Sequence, residues 1–90
     1  MATLKIPTLY SHYTDKNKEM QLDGTTIRQV FENLFLLYPT IQKHIIDPNG
    51  KQRRHINIFI NKINIVDLQK DETPVNQQDV ITILPNISGG

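Results

Sequence analysis

Apolar and polar residues alternate near both ends of the chain and recur at helical spacing in between. Leu4 and Ile6 point one way and Thr3 and Lys5 the other, which predicts a half-buried strand within residues 2–9. Pro7 ends that strand or pushes it to an edge. Residues 11–19, SHYTDKNKE, are polar and turn-like. Met20 and Leu22 then alternate with Gln21, giving a second short strand. The two strands form a hairpin with a long, wet loop. Asp23-Gly24 closes it. Thr26 with Gln29 three residues on matches a capping box at a helix start. Ile27, Val30, Phe31, Leu34, Leu37 and Tyr38 follow at helical period and make one apolar face. Pro39 disfavours the α conformation in the residue before it, so the helix ends near Leu37 or Tyr38.

The second half is less regular. Ile41, Ile45 and Ile46 suit a short helical turn under the main helix. Asp47-Pro48-Asn49-Gly50 reads as a turn. In residues 55–61, HINIFIN, the residues Ile56, Ile58 and Ile60 share one face, and Asn57, Phe59 and Asn61 share the other. Asn61-Lys62 turns the chain into a brief strand at Ile63, Asn64 and Ile65. Residues 66–78 are polar and loop-like. Residues 80–84 form the last strand, with Ile81 and Ile83 on the core face, and Pro85 stops it. Asn86, Ile87, Ser88, Gly89 and Gly90 make a tail with no partner to pack against. One helical apolar face covers one face of one sheet. The first and last strands pair in parallel across the helical crossover. That is an α+β fold, the β-grasp, over residues 1–85, with a flexible tail at 86–90.

Composition narrows what such a domain does. Ninety residues are roughly one domain. Hydrophobic residues at 38% and charged residues at 21% suit a small globular domain and argue against a disordered chain. Ten Lys and Arg against nine Asp and Glu give a net charge of +1, without the basic excess of a nucleic-acid or anionic-membrane binder. There is no cysteine, which excludes a disulfide framework, a Cys-based zinc site and a thiol nucleophile, and fits a reducing cytoplasm. No apolar run approaches the ~20 residues of a membrane span, and the first ten residues lack a signal-peptide pattern.

The chemistry concentrates at Gly89-Gly90. Glycine has no side chain and wide backbone freedom. A tail ending in it threads a narrow tunnel and presents its carboxylate to an enzyme. A carboxylate is a poor electrophile, but ATP converts it to an acyl-adenylate whose AMP leaves readily. A sulfur or nitrogen nucleophile then takes the acyl group, and no internal thiol competes for it. Two terminal glycines are also what a frayed end looks like. Their place after a last β-grasp strand and a Pro favours the tail reading.

On these residues the chain resembles the small sulfur-carrier proteins of the ubiquitin-like family, which includes the molybdopterin synthase small subunit, the thiamine sulfur carrier and the carrier of a cysteine-biosynthesis pathway. KIPTL near the start, Asp23-Gly24-Thr25-Thr26, NIFIN in the middle strand, Gln78-Asp79-Val80 and the closing ITILPNISGG carry the resemblance. The cysteine-pathway carrier is most similar, in its IPT start, its basic insert with Gly50-Lys51, and TILP before the tail. Gln78 stands where the family often has Gly, and Asn86 and Ile87 precede Ser88 where it often has small residues. The resemblance implies that a ubiquitin-activating-like adenylating enzyme uses ATP to adenylate Gly90, and that a sulfur donor converts it to a thiocarboxylate. A sulfur-accepting enzyme, of the cysteine synthase type or the molybdopterin synthase large subunit, then takes the sulfur. Gly90 bears the reactive group and Gly89 keeps the tail slim. The chain is a co-substrate rather than an enzyme and binds no cofactor itself; no Gly-rich phosphate loop is present, so ATP binds the partner.

Other candidates are plainer. His12, His44 and His55 lack metal-ligand spacing. Asp71 and Glu72 are adjacent, so they do not converge on one substrate atom. Lys51, Arg53 and Arg54 form a solvated basic run or meet an acidic patch on a partner. Phe59 points away from the helix with Lys5, Val80, Thr82 and Leu84, an exposed patch suited to docking. In ubiquitin-like folds that face commonly meets the activating enzyme, and the docking set is Phe59, Leu84 and Ser88. Two rival classes stay open: a protein modifier joined through Gly90, and an interaction module with an inert tail.

Overall fold

The structure, a computed structural model, describes residues 1–86. Among the described residues five strands form one mixed sheet: β1 (Ala2–Lys5), β2 (Glu19–Leu22), β3 (Ile56–Ile60), β4 (Ile63–Asn64) and β5 (Val80–Pro85). Their spatial order is β2-β1-β5-β3-β4. β1 and β5 run parallel, with Leu4 opposite Ile81, and the other neighbouring strands pair antiparallel. Helix α1 (Ile27–Leu37) and the single turn α2 (Gln42–Ile45) lie in the crossover between the two hairpins. This is the expected β-grasp.

Alternation explains the core. Ala2, Leu4, Leu22, Ile56, Ile58, Ile60, Ile81 and Ile83 all turn to one side of the sheet and are buried. Ile27, Val30, Phe31 and Leu34 of α1 close over them, joined by Ile41 and Ile45 from the segment after the helix. Leu37 departs from the expected helical face, being 62% exposed. At about 100° per residue it sits roughly 70° off the centre of the stripe, at its margin, in the helix's last position. Tyr38 and Phe35 pack only partly against the core.

The start of α1 is held from several sides. The Gln29 amide donates to Thr26 Oγ1 at 3.2 Å. The Gln29 side chain does not return to Thr26; its Oε1 accepts from the Thr25 amide at 2.8 Å and the Thr25 hydroxyl at 2.9 Å. The Ile27 amide donates to Thr73 O at 3.0 Å, which ties the long polar segment to the helix. Gly24 makes this junction possible. Its φ is +147°, and a Cβ there would lie 2.7 Å from the Val30 nitrogen.

Three expectations need correction. β1 ends at Lys5, and Thr8–Thr14 form a 3-10 helix where a wet loop was expected. Ser11 and Thr14 are buried there because their hydroxyls are spent locally, Ser11 on Thr8 O at 2.9 Å and Thr14 on Ser11 O at 3.1 Å. Residues 66–78 are not simply loop: short 3-10 turns at Ile65–Asp67 and Lys70–Glu72 shape them, and Thr73 and Val75 are buried. Pro85 does not stop β5 but is its last residue, paired with Ile56.

Candidate functional site

The candidate site begins where β5 leaves the sheet. β5 is the central strand, flanked by β1 and β3, so its course is fixed on both edges. Past Pro85 the Asn86 amide still donates to His55 O at 2.5 Å. Asn86 therefore has a partner, contrary to the expectation for residues 86–90. Ser88, Gly89 and Gly90 lie outside the described residues.

The outer sheet face borders this exit. Register places Lys5, Thr82 and Phe59 in one row across β1, β5 and β3, and Asn57 beside Leu84 in the next row toward the exit. Leu84 is 48% exposed, as the docking patch requires. Phe59 is half-buried rather than exposed, because β3 is an inner strand with neighbours on both sides. It still lies on the face opposite α1.

The basic run and the histidines gather near the same exit. The Arg53 Nε donates to Lys43 O at 2.6 Å, which holds α2 against the strand that follows it. The turn between them forms as expected: Asp47 Oδ1 accepts from the Asn49 and Lys51 amides at 2.9 and 3.0 Å, and Gly50 takes φ +81°. His44 stacks on Tyr13, with ring centroids 4.4 Å apart, and Tyr13 in turn lies 3.9 Å from His12. No group of His, Asp and Glu among the described residues could hold a metal ion. Asp71 and Glu72 both pair with Arg28, at 2.8 and 3.2 Å, so their role there is an exposed ion network.

The His44 ring is held below the usual histidine range, first by burial, then by Lys43, Arg53, His12 and His55. Its Nε2 is buried with no hydrogen-bond partner among the described residues. A depressed histidine is neutral in the fold where the unfolded chain already takes a proton. Its contribution is whole above about pH 6.5 and is lost as pH falls toward the folded value. Wild type should therefore lose more melting temperature between about pH 7 and about pH 5 than His44→Phe, which keeps the stack. Thermal melts at both pH values check this, and equal losses would count against His44.

The family model for the ThiS family matches residues 4–90. The chain belongs to the ThiS family. Within it, the chain is 31% identical over 90 residues to the sulfur carrier protein CysO of Mycobacterium tuberculosis, covering 98% of this chain and 97% of that one. The fold agrees closely with CysO in the crystal structure of the Amycolatopsis orientalis BexX/CysO complex, with TM-score 0.93 at 26% identity and 100% of both chains covered. It is also similar to small archaeal modifier protein 1 from Methanosarcina acetivorans, with TM-score 0.88 at 28% identity, covering 99% of this chain and 95% of that one. The expected family and fold both hold. Among the described residues no helix is long and apolar enough to cross a membrane.

The sequence pattern located β5 and the exposed, outward position of Leu84. It missed the packed Tyr10–Tyr13–His44 cluster beside the exit. The only signal was three ring-bearing residues, Tyr10, His12 and Tyr13, crowded into an otherwise polar stretch.

Proposed function

We propose that this ThiS-family chain is a sulfur carrier whose Gly90 carboxylate is adenylated and then converted to a thiocarboxylate, with the sulfur destined for cysteine biosynthesis. The near full-length likeness to CysO carries this reading. The chemistry of the last residues supports it. Gly89 and Gly90 follow within five residues of Pro85, the end of the central strand. A rigid strand feeding a slim tail is a suitable way to deliver a carboxylate into another protein's site. The chain supplies the acyl group and no catalytic side chain. ATP is bound and spent by an adenylating partner, and a second enzyme accepts the sulfur. In the family a CysO is known in complex with BexX, which supports partner enzymes in general.

Intact mass of the protein isolated from its own cells tests this. A carrier shows a fraction heavier by the exchange of one oxygen for sulfur, lost on alkaline hydrolysis. The likeness to an archaeal modifier favours a second reading, conjugation through Gly90 to lysines of other proteins. That reading expects ladders of conjugates instead. Neither species would leave only an interaction module.

The outer face is the surface we assign to docking, with Phe59 and Leu84 described and Ser88 beyond them. Phe59→Ala should leave the fold largely intact and weaken binding to the adenylating enzyme by more than about 2 kcal/mol, the size of a strong interface anchor. Calorimetric titration of both proteins measures it. Equal affinity would move the docking surface elsewhere.

A further inference from the structure

The net charge of +1 hides a strong separation of charge along the sheet axis. β1 and β5 run toward the tail exit, and β2 and β3 start there. The end of α1, the Pro39–Ile41 turn and α2 fill the same end, and the Thr8–Thr14 helix joins β1 to β2 across it. Residues 5–19 and 38–55, which make up this end, carry seven Lys and Arg against three Asp and Glu, and all three His. The rest of the chain carries three against six.

The ion pairs do not offset this. Among the described residues they all sit at the far end, where Arg28 meets Asp71 and Glu72. At the exit end Lys43, His44, Arg53 and His55 line one shallow depression of about 330 Å³. His55 is also the residue whose carbonyl receives the Asn86 amide. Lys43 and Arg53 therefore lie beside the root of the tail. Burial is the first cause of the lowered proton affinity of His44, and Lys43, Arg53, His12 and His55 lower it further.

We propose that the tail-exit end is an electrostatic docking surface for an acidic rim around the tail-receiving site of the adenylating enzyme. This rests on the carrier reading above. The occupant is a protein rather than a nucleic acid or a membrane because the positive end coincides with the tail's exit, and the opposite end is negative. A polyanion without a receiving site has no use for that coincidence. Opposed fields raise association rates by roughly 10- to 1000-fold and also turn the incoming molecule. The polarity presents the carrier tail-first, before any contact forms. The outer-face patch then sets how long the complex lasts.

The test is stopped-flow association with the adenylating enzyme of the carrier reading. The variants are Lys43→Glu with Arg54→Glu at the exit end, and Lys62→Glu with Lys70→Glu at the far end. All four positions are exposed, and thermal melts verify the fold of each variant. Both pairs change the net charge equally. At low salt the exit-end pair should slow association about tenfold or more, and the far-end pair by less than about twofold. Raising salt from about 0.01 M to about 1 M shrinks the screening length from about 30 Å to about 3 Å and should erase the difference. Equal slowing by both pairs, or none by either, overturns the proposal. So does unchanged enzyme association with loss of wild-type binding to phosphatidylserine vesicles. Adenylate formation by wild type is read in parallel. Adenylation with equal association rates overturns the docking end alone, whereas no adenylation of wild type overturns the carrier reading and this proposal with it.

Discussion

Deleting Gly90, or replacing it with Val, should cut adenylation by at least about 100-fold while leaving the melting temperature unchanged. The two halves have separate causes. Every core residue among those described lies at or before Ile83, and the last sheet pairing is Ile56 with Pro85, so the change removes no core side chain. Activity depends on reach and alignment. The carboxyl carbon must meet the α-phosphate of ATP in line, and a misplacement of about 1 Å can cost ~100-fold. Deletion shortens the chain by about 3.5 Å. Val sets a branched side chain beside the reacting carbon and stiffens the backbone there. Pyrophosphate release with the adenylating enzyme measures the first half, and thermal melts measure the second. A deleted protein adenylated at the wild-type rate would show that Gly90 is not the activated residue.

Leu34→Ala should have the largest effect on the fold itself, about 3 kcal/mol or more. Leu34 is 0% exposed in the middle of the covering face of α1. Truncation loses its transfer energy and leaves a cavity that the rigid sheet below cannot fill, within the 2.7–5 kcal/mol range of such changes, to order of magnitude. A small domain has about 5–15 kcal/mol in total. At roughly 4–8 °C per kcal/mol the midpoint falls by about 12 °C or more. Leu37→Ala is the control: the residue is 62% exposed and should change stability by less than about 0.5 kcal/mol. Thermal and urea melts of both proteins decide it. Similar losses for the two would mean that the face of α1 has been misassigned.

The contrast between those leucines shows what a linear pattern can tell. Ile56, Ile58 and Ile60 are separated by polar or outward residues, so the strand and its buried side were both legible. The face of α1 was legible for Ile27, Val30, Phe31 and Leu34, where helical period and tertiary contact agree. Leu37 shares the period but lies at the stripe's margin. Spacing alone does not say how far a core extends. The Thr8–Thr14 helix was hidden for another reason. Ser11 and Thr14 read as solvent-seeking until their hydroxyls are seen to satisfy nearby carbonyls. At the site, Leu84 and the exit after Pro85 followed from strand alternation and the closing motif. The charge separation did not, because residues 5–19 and 38–55 are far apart along the chain and meet only through the topology.

The parallel pairing of β1 with β5 bears on when this protein becomes competent during its synthesis. The sheet's centre is built from its earliest and its latest strand, joined as Leu4 with Ile81. Until residue 85 has been added, the β1–β2 and β3–β4 hairpins have nothing between them, and Ile81 and Ile83, both 0% exposed, are missing from the core. Such long-range closure is also the slow part of folding. A chain lacking β5 therefore leaves the two hairpins unjoined, with apolar surface and unpaired strand edges exposed. Addition of β5 is therefore the event that joins the two hairpins and brings Ile81 and Ile83 into the core.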